Sequence, residues 1–427
     1  MVGISLFASG GIGDLALRKA EIDVILASEL LDERVSLFQK NYPTCHMVSG
    51  DIWETKDEII RTTKQLLKGK SLDFMLATPP CQGMSKNGRG KLLNSFRKGD
   101  TAKFDKRNQL VIPAIEIALA LSPEILIMEN VPEMKNTIIP VGDDVMTILE
   151  FIEMKLGDEY KGHYEVVEFA NYGVPQRRQR LITVFTKNLN LKKYYEKHKT
   201  FFPDYTHSKK ATIYQKEWIP LKNILKNIPK LDAKDKISAE DTSLKYHRVP
   251  TLTEDKYFWV INTPLNKSAF DNQCINPKCL YSENATHKSL KNKSGINKAS
   301  TETPLYCEKC KSLLPRPWVK NDEGYRLMKG FTSAYKRMNP DLPANTLTQN
   351  FSYACSDSKL HPFENRVLSL YEALKIHTID QFTYIWERAD GQKVSDKLIR
   401  EIIGESVPPL GFSKIIEHIK ENMIKKN

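Results

Sequence analysis

The sequence predicts an α/β protein: a parallel-rich sheet covered by helices on both faces, followed by a second, loop-rich domain. Three observations predict it. Short apolar runs alternate with helical patterns through the first 190 residues. Glycines, prolines or acids stand where most of those runs end. From about residue 187 the periodicity dissolves. Such alternation argues for βαβ units and a sheet with both faces covered.

The run 4–8 reads as a strand entering Ser9-Gly10-Gly11-Ile12-Gly13, with a helix over 15–20 behind it. A second strand over 23–27 leads to a helix over 32–41. Strand 72–77, helix 108–121, strand 124–128 and helix 145–155 follow, and strands over 164–170 and 181–185 close the set. Ligands of such sheets lie beyond the carboxyl ends of the strands. The segment 187–236 holds thirteen Lys against five acidic residues, and 282–303 is polar and nearly featureless. Helical periodicity returns over 367–377 and 412–425. The expected division is therefore a sheet-bearing domain over 1–189, completed by 395–427, and a second domain over 190–394. No internal repeat is present.

Of 427 residues 41% are hydrophobic, enough for a sizeable core. No run of about 18 apolar residues exists, so no membrane span is expected. The opening residues lack a basic region before an apolar segment; a strand rather than an export signal is expected, and with it a cytoplasmic location. Lys and Arg number 64 against 52 Asp and Glu, a formal charge of +12. That excess suits a polyanionic partner, although charge alone does not identify nucleic acid. In a reducing compartment the seven cysteines are not expected to form disulfides and divide into buried fillers, metal ligands and nucleophiles.

Five clusters carry chemistry. The turn after Phe7 points backbone N–H groups and a helix start at whatever binds; dinucleotides, nucleotides and S-adenosylmethionine all use such turns. Glu29, ending the next strand, suits a ribose diol, and Asp51 in Gly50-Asp51-Ile52 suits an adenine amino group. Pro79 and Pro80 stiffen the chain directly after a strand and hold Cys81 at the sheet's edge, ahead of a basic Gly/Ser/Asn-rich stretch. Glu129 stands at another strand end. Arg177, Arg178 and Arg180 lie between a proline turn and an apolar strand, so at least one guanidinium is expected to face the site.

Pro80-Cys81-Gln82, Glu129-Asn130-Val131 and Gln176-x-Arg178-x-Arg180, in this order, resemble the family of C5-cytosine DNA methyltransferases. Phe7-x-Ser9-x-Gly11, the run 105–110, Arg366-Val367-Leu368-Ser369-Leu370-Tyr371-Glu372-Ala373 and Gly404-Glu405-Ser406-Val407-Pro408-Pro409 resemble its other motifs. The likeness covers about 1–186 and 335–427. It implies a Rossmann-like S-adenosylmethionine-dependent methyltransferase domain with a smaller target-recognition domain. Carbon 5 of cytosine is too weak a nucleophile to attack a sulfonium methyl, but a thiolate added at carbon 6 makes it enamine-like. Cys81 is the implied thiolate, helped to ionise by nearby arginines. Glu129 is implied to hold ring N3 and the amino group, and Arg180 with Arg178 to contact O2 and steady the loop. The base must leave the stack, at a cost of a few kcal/mol. The base that removes the carbon 5 proton is not identified.

The resemblance places Phe7 near the adenine and Gly11 and Ile12 at the methionine end. It places Glu29 on the ribose, Asp51 and Ile52 at the adenine edge, and Pro80, Leu110 and the Ser406-Val407 backbone around the rest. Four positions depart from the pattern: Ser9 replaces a glycine, Glu405 an Asn, and Tyr371 and His377 stand where Arg and Gln are common. The partner implied is double-stranded DNA, bound by a monomer. A compact chain also resembles bacterial modification enzymes that protect DNA from a cognate restriction endonuclease.

Cys274 and Cys279, with four residues between them, and Cys307 and Cys310, with two between them, read as a tetrahedral four-cysteine zinc ribbon of structural role over 274–310. The middle domain would recognise sequence, its lysines meeting phosphates. The residues 333–337 and 342–348 resemble the framework of that domain. Two rivals stand against this reading. A tRNA cytosine methyltransferase would carry the same catalytic motifs, but usually a Cys-Phe-Thr tripeptide where this chain has Gly330-Phe331-Thr332. A non-catalytic DNA-binding relative would lose Cys81, Glu129 or Arg180, and all are present. Transfer to an amino group would want an Asp/Asn-Pro-Pro-Tyr-type motif in place of Pro-Pro-Cys-Gln.

Overall fold

The computed structural model describes residues 1–80, 106–142, 144–291, 297–299, 302–322, 324–328 and 332–424. Cys81, the expected nucleophile, lies outside the described residues, as do Asp105, Gly330 and Phe331.

Seven strands form the central sheet: β1 (Val2–Leu6), β2 (Asp23–Glu29), β3 (His46–Ser49), β4 (Phe74–Ala77), β5 (Ile125–Asn130), β6 (Lys161–Glu168) and β7 (Gln179–Thr186). Their order is β3-β2-β1-β4-β5-β7-β6. The first five pair in parallel, and β7 runs antiparallel to both of its neighbours. β4 and β5 are buried along their whole length, as parallel strands covered on both faces must be.

The helices that cover the sheet are α1 (Asp14–Lys19), α2 (Asp32–Asn41), α3 (Ile52–Leu67), α4 (Val111–Leu121) and α5 (Ile148–Leu156). One apolar cluster joins Ile12, Leu15, Leu37 and Phe38. The other, across the sheet, joins Ile4, Leu6, Ile59, Ile115 and Ile152. The 16-residue α3 lies outside the elements the sequence leads one to expect. Its buried positions Ile52, Ile59, Thr63 and Leu67 fall on one helical face, but charges and threonines between them dilute the pattern. The expected helix over 145–155 starts later, at Ile148. Thr147 accepts from the Glu150 N–H while the Glu150 carboxylate accepts from the Thr147 N–H, a capping box that ends strand Asp144–Thr147 and starts the helix.

Beyond β7 come α6 (Leu189–His198) and α7 (Glu254–Ile261), then α8 (Leu370–Ile376), α9 (Asp396–Glu405) and α10 (Pro409–Ile424). Leu370, Ile376, Trp386, Ile402 and Phe412 enter the same cluster as Ile12 and Leu37. Residues within 368–394 thus share one apolar cluster with the sheet's helices, as do Leu191, Leu221, Met338 and Phe351. The middle region has its own core around Trp259, Phe270, Trp318 and Tyr335. Arg337 is buried there and donates to the carbonyls of Val260, Thr263 and His361. Among the described residues, no helix is long and apolar enough to cross a membrane.

Candidate active site and metal centre

The β1–α1 turn is built from unusual backbone. Phe7, Ser9 and Gly11 have φ of 60°, 50° and 81°, a region that L side chains seldom occupy. Glu29 holds the turn: its Oε2 accepts from the Ser9 N–H at 2.8 Å and its Oε1 from the Leu31 N–H at 3.0 Å. Each oxygen keeps a second lone pair, so the carboxylate can brace the loop and still accept from a hydroxyl. A Cβ on Gly11 would come 2.5 Å from the Tyr42 ring, whose hydroxyl donates to the Gly11 carbonyl at 2.7 Å. The Ile12 side chain is sealed in the core, so only its backbone can face a ligand.

The remaining expected cofactor residues divide by exposure. Asp51 is exposed, and its carboxylate caps α3 by accepting from the Trp53 N–H at 3.0 Å; Ile52 behind it is buried. Phe7 and Leu110 are partly buried against the same apolar cluster, and Pro80 is exposed. Val407 is buried, while Ser406 is half-buried beside His377. A braced left-handed turn, an acid at the end of β2 and half-buried apolar residues fit a nucleoside-bearing cofactor.

At the end of β5, Glu129 pairs with Arg180, Nε to Oε1 at 2.9 Å. The antiparallel β7 makes this pair. Ile182 lies opposite Glu129, and Arg180, two residues earlier, shares its face. Both side chains are about nine-tenths buried. Burial pushes the Glu129 carboxyl above its usual range, opposed by the charges of Arg180 and Arg178. Asn130 donates to the Pro79 carbonyl at 2.9 Å and accepts from the Val131 N–H at 2.8 Å. It thereby ties the β5 terminus to the segment that precedes Cys81. Thr78 likewise donates to the Phe7 carbonyl, joining the β4 and β1 ends.

The three arginines have three destinations. Arg180 reaches Glu129. Arg177 donates to the Asn345 side chain at 2.7 Å. Arg178 is fully buried and donates to the Leu347 and Gly404 carbonyls at 2.8 and 2.7 Å. Main chain therefore holds this guanidinium, for which the resemblance implies a contact with the target base. Gln176 works similarly, accepting from the Leu347 N–H while its amide nitrogen meets His377 Nδ1 at 3.1 Å. Two surface depressions, around Glu124 and Lys187 and around Glu153 and Lys199, lie at the opposite ends of β5 and β7, away from this chemistry.

In the middle region, the Sγ atoms of Cys274, Cys279, Cys307 and Cys310 all lie within 4.8 Å of one another. The Cys274–Cys310 and Cys279–Cys307 separations are 3.6 and 3.9 Å. A tetrahedron with metal–sulfur bonds of about 2.3 Å has edges of about 3.8 Å. Leu280 and Lys311, each just after the second cysteine of a pair, have φ of 48° and 61°. The two turns thus share a left-handed residue at the same place, and the donor set fits a soft, tetrahedral divalent ion.

The profile of C-5 cytosine-specific DNA methylases matches residues 1–421. The chain belongs to that family. Methyl transfer to carbon 5 of cytosine in DNA is therefore its activity, with S-adenosylmethionine as the donor the family implies. Among curated relatives of this methylase, the Type II methyltransferase M1.HgaI of Avibacterium volantium is 29% identical over 443 residues, covering 100% of this chain and 99% of that one. Type II methyltransferase M.XorII of Xanthomonas oryzae pv. oryzae is 29% identical over 183 residues, 42% of this chain and 39% of its own. The solved structure of S. pombe Dnmt2 methyltransferase shares the fold, with a TM-score of 0.55 at 11% identity over 100% of this chain and 99% of that one.

Three parts of this methylase site were not legible in the sequence. Asn130 sits inside a quoted motif, yet its hold on Pro79 needs the adjacency of β4 and β5. The chain Gln176–His377–Ser406 joins residues 201 and 29 positions apart. Arg34 is a lone helical arginine with no local signal, and it meets both Ser9 and Glu405.

Proposed function

We propose that this methylase modifies cytosine within a specific duplex DNA sequence through a transient covalent bond from Cys81 to carbon 6 of a base turned out of the helix. The observation that carries the reading is the buried Glu129–Arg180 pair, held beside the segment that leads to Cys81. The Cys81 thiolate adds to carbon 6, and the displaced electron pair makes carbon 5 nucleophilic. Glu129, its proton favoured by burial, donates to N3 and accepts from the amino group as that charge develops. Arg180 orients Glu129 and donates to O2. Arg178 acts as a positioning residue, tying the Arg-rich motif to Leu347 and Gly404. When bound, the cofactor supplies an electrophilic methyl group. Loss of the carbon 5 proton to a base then breaks the carbon–sulfur bond and returns the thiolate.

The cofactor pocket in this reading comprises Phe7, the backbones of Gly11 and Ile12, Glu29, Asp51, Ile52, Pro80, Leu110, Ser406 and Val407. Cys274, Cys279, Cys307 and Cys310 hold a structural zinc ion, supported by their tetrahedral separations. The lysine-rich middle domain meets phosphates as a monomer on DNA, in the cytoplasm. The Type II relatives support a place in a restriction-modification system with a cognate endonuclease.

Bisulfite sequencing of DNA from cells expressing the chain is expected to show protected cytosines in one sequence context, abolished by Cys81→Ser. Duplex DNA bearing 5-fluorocytosine at that context is expected to trap an adduct on Cys81. A flat methylation map together with methylated tRNA would turn the assignment to the RNA rival.

A further inference from the structure

We propose that Arg34 is a cofactor-binding residue, with its guanidinium paired to Glu405 and donating to the carboxylate of the cofactor's methionine moiety. The proposal rests on the reading of the cofactor pocket above and adds its ligand for the anionic end. Two of the four departures from the family pattern, Ser9 and Glu405, meet at this one arginine. Arg34 Nη1 lies 2.7 Å from Glu405 Oε2 and 3.3 Å from Ser9 Oγ. The side chain is only 13% exposed, against 37% for Glu405. Its Nε is buried and has no hydrogen-bond partner among the described residues. A buried donor left unmatched is costly, so a ligand acceptor there is favoured.

Charge balance points the same way. Glu29, Glu401 and Glu405 act on Arg34 electrostatically, so acids dominate this wall. Acids alone would attract an ammonium and repel a carboxylate. An amino-acid end carries both, and a mixed wall can match both: Glu405 for the ammonium, Arg34 for the carboxylate. A guanidinium is suited to this because its planar N–H groups can serve two acceptors at once. Tertiary packing brings the pieces together. Gly10 packs against Ile402 of α9, Glu405 ends that helix, and Arg34 reaches across from the first turn of α2.

The test is calorimetric binding to the full chain, with S-adenosylmethionine and with its decarboxylated analogue as the two probes. Wild type, Arg34→Ala, Arg34→Lys and Glu405→Gln are compared, with unliganded thermal melts to establish folding. Arg34→Ala is expected to weaken S-adenosylmethionine about 10–100-fold, the ~1.5–3 kcal/mol of a charge-assisted hydrogen bond at 1.4 kcal/mol per decade. It is expected to change the decarboxylated analogue less than about threefold, and Arg34→Lys to recover part of the loss. Equal losses for both probes in a folded variant, or no loss for either, would overturn the proposal. Should Arg34→Ala fail to fold, the same contrast is read from Arg34→Lys. Wild-type protein that binds neither probe would instead remove the cofactor pocket itself, and the proposal with it.

Discussion

If the four cysteines hold zinc as proposed, removal of the metal is expected to unfold the segment 274–310 and spare the sheet. The perturbation is Cys310→Ser, or chelation of the wild-type protein. The ribbon's own buried cluster consists of Cys274, Cys307 and Leu314, with Cys279, Tyr281 and Cys310 partly buried around it. Burying one leucine contributes roughly 1.5–3 kcal/mol. A structural zinc site supplies about 10–16 kcal/mol, so a bound zinc would dominate the order of this segment. The ribbon is tied to the rest by Arg316, which donates to the carbonyls of Asn272, Ala285 and Pro304. The sheet's clusters share no residue with it. Elemental analysis should find one zinc per chain, and X-ray absorption four sulfurs at about 2.3 Å. Limited proteolysis of the variant should cut within 274–310 while S-adenosylmethionine binding stays within about twofold, and DNA affinity should fall. Metal-free protein that resists cleavage and binds DNA normally would refute the reasoning.

Three further outcomes are expected. Glu129→Gln keeps the shape but removes the titratable carboxyl that meets Arg180 and would donate to N3; single-turnover methylation should slow about 10²–10³-fold, with cofactor affinity nearly unchanged in a titration. Glu372→Ala removes one of two carboxylates from fully buried Arg366, met through two contacts of 2.7 Å, and leaves Glu364 at 2.8 Å; denaturant unfolding should show a loss of about 1.5–3 kcal/mol. Burial raises the Asp14 carboxyl from 3.8 to about 7. A raised acid contributes stability that is intact below pH ~4 and is lost as pH rises through about 7. Wild-type stability should therefore fall relative to Asp14→Asn between about pH 4 and 7, by up to about 4 kcal/mol, and stay level above that, measured as paired urea midpoints at each pH.

Local signals were sufficient for most of the sheet. The runs leading to Phe7, Glu29 and Asn130 are short, apolar and punctuated, and each became a strand of the expected kind. Where expectation and structure part, long-range contacts are the cause. Asp51 does follow a strand, β3, but the helix that its carboxylate also caps was hidden by a mixed composition. Arg177, Arg178 and Arg180 look alike in a basic cluster. Strand alternation turns Arg180 to Glu129, while Leu347 and Gly404, 169 and 226 residues away, hold Arg178.

By itself the sequence determined the fold class and the ordered motifs of the family, and it named the acid, the arginine and the four cysteines as candidates, because these are written in residue type and short spacing. Only the tertiary structure decided which groups meet: Glu129 with Arg180, Asn130 with Pro79, the sulfurs with one another, Arg34 with both Ser9 and Glu405. Hydrogen bonds and ion pairs act over about 3 Å, and chain folding brings those groups together across tens to hundreds of residues that carry no local trace of the meeting.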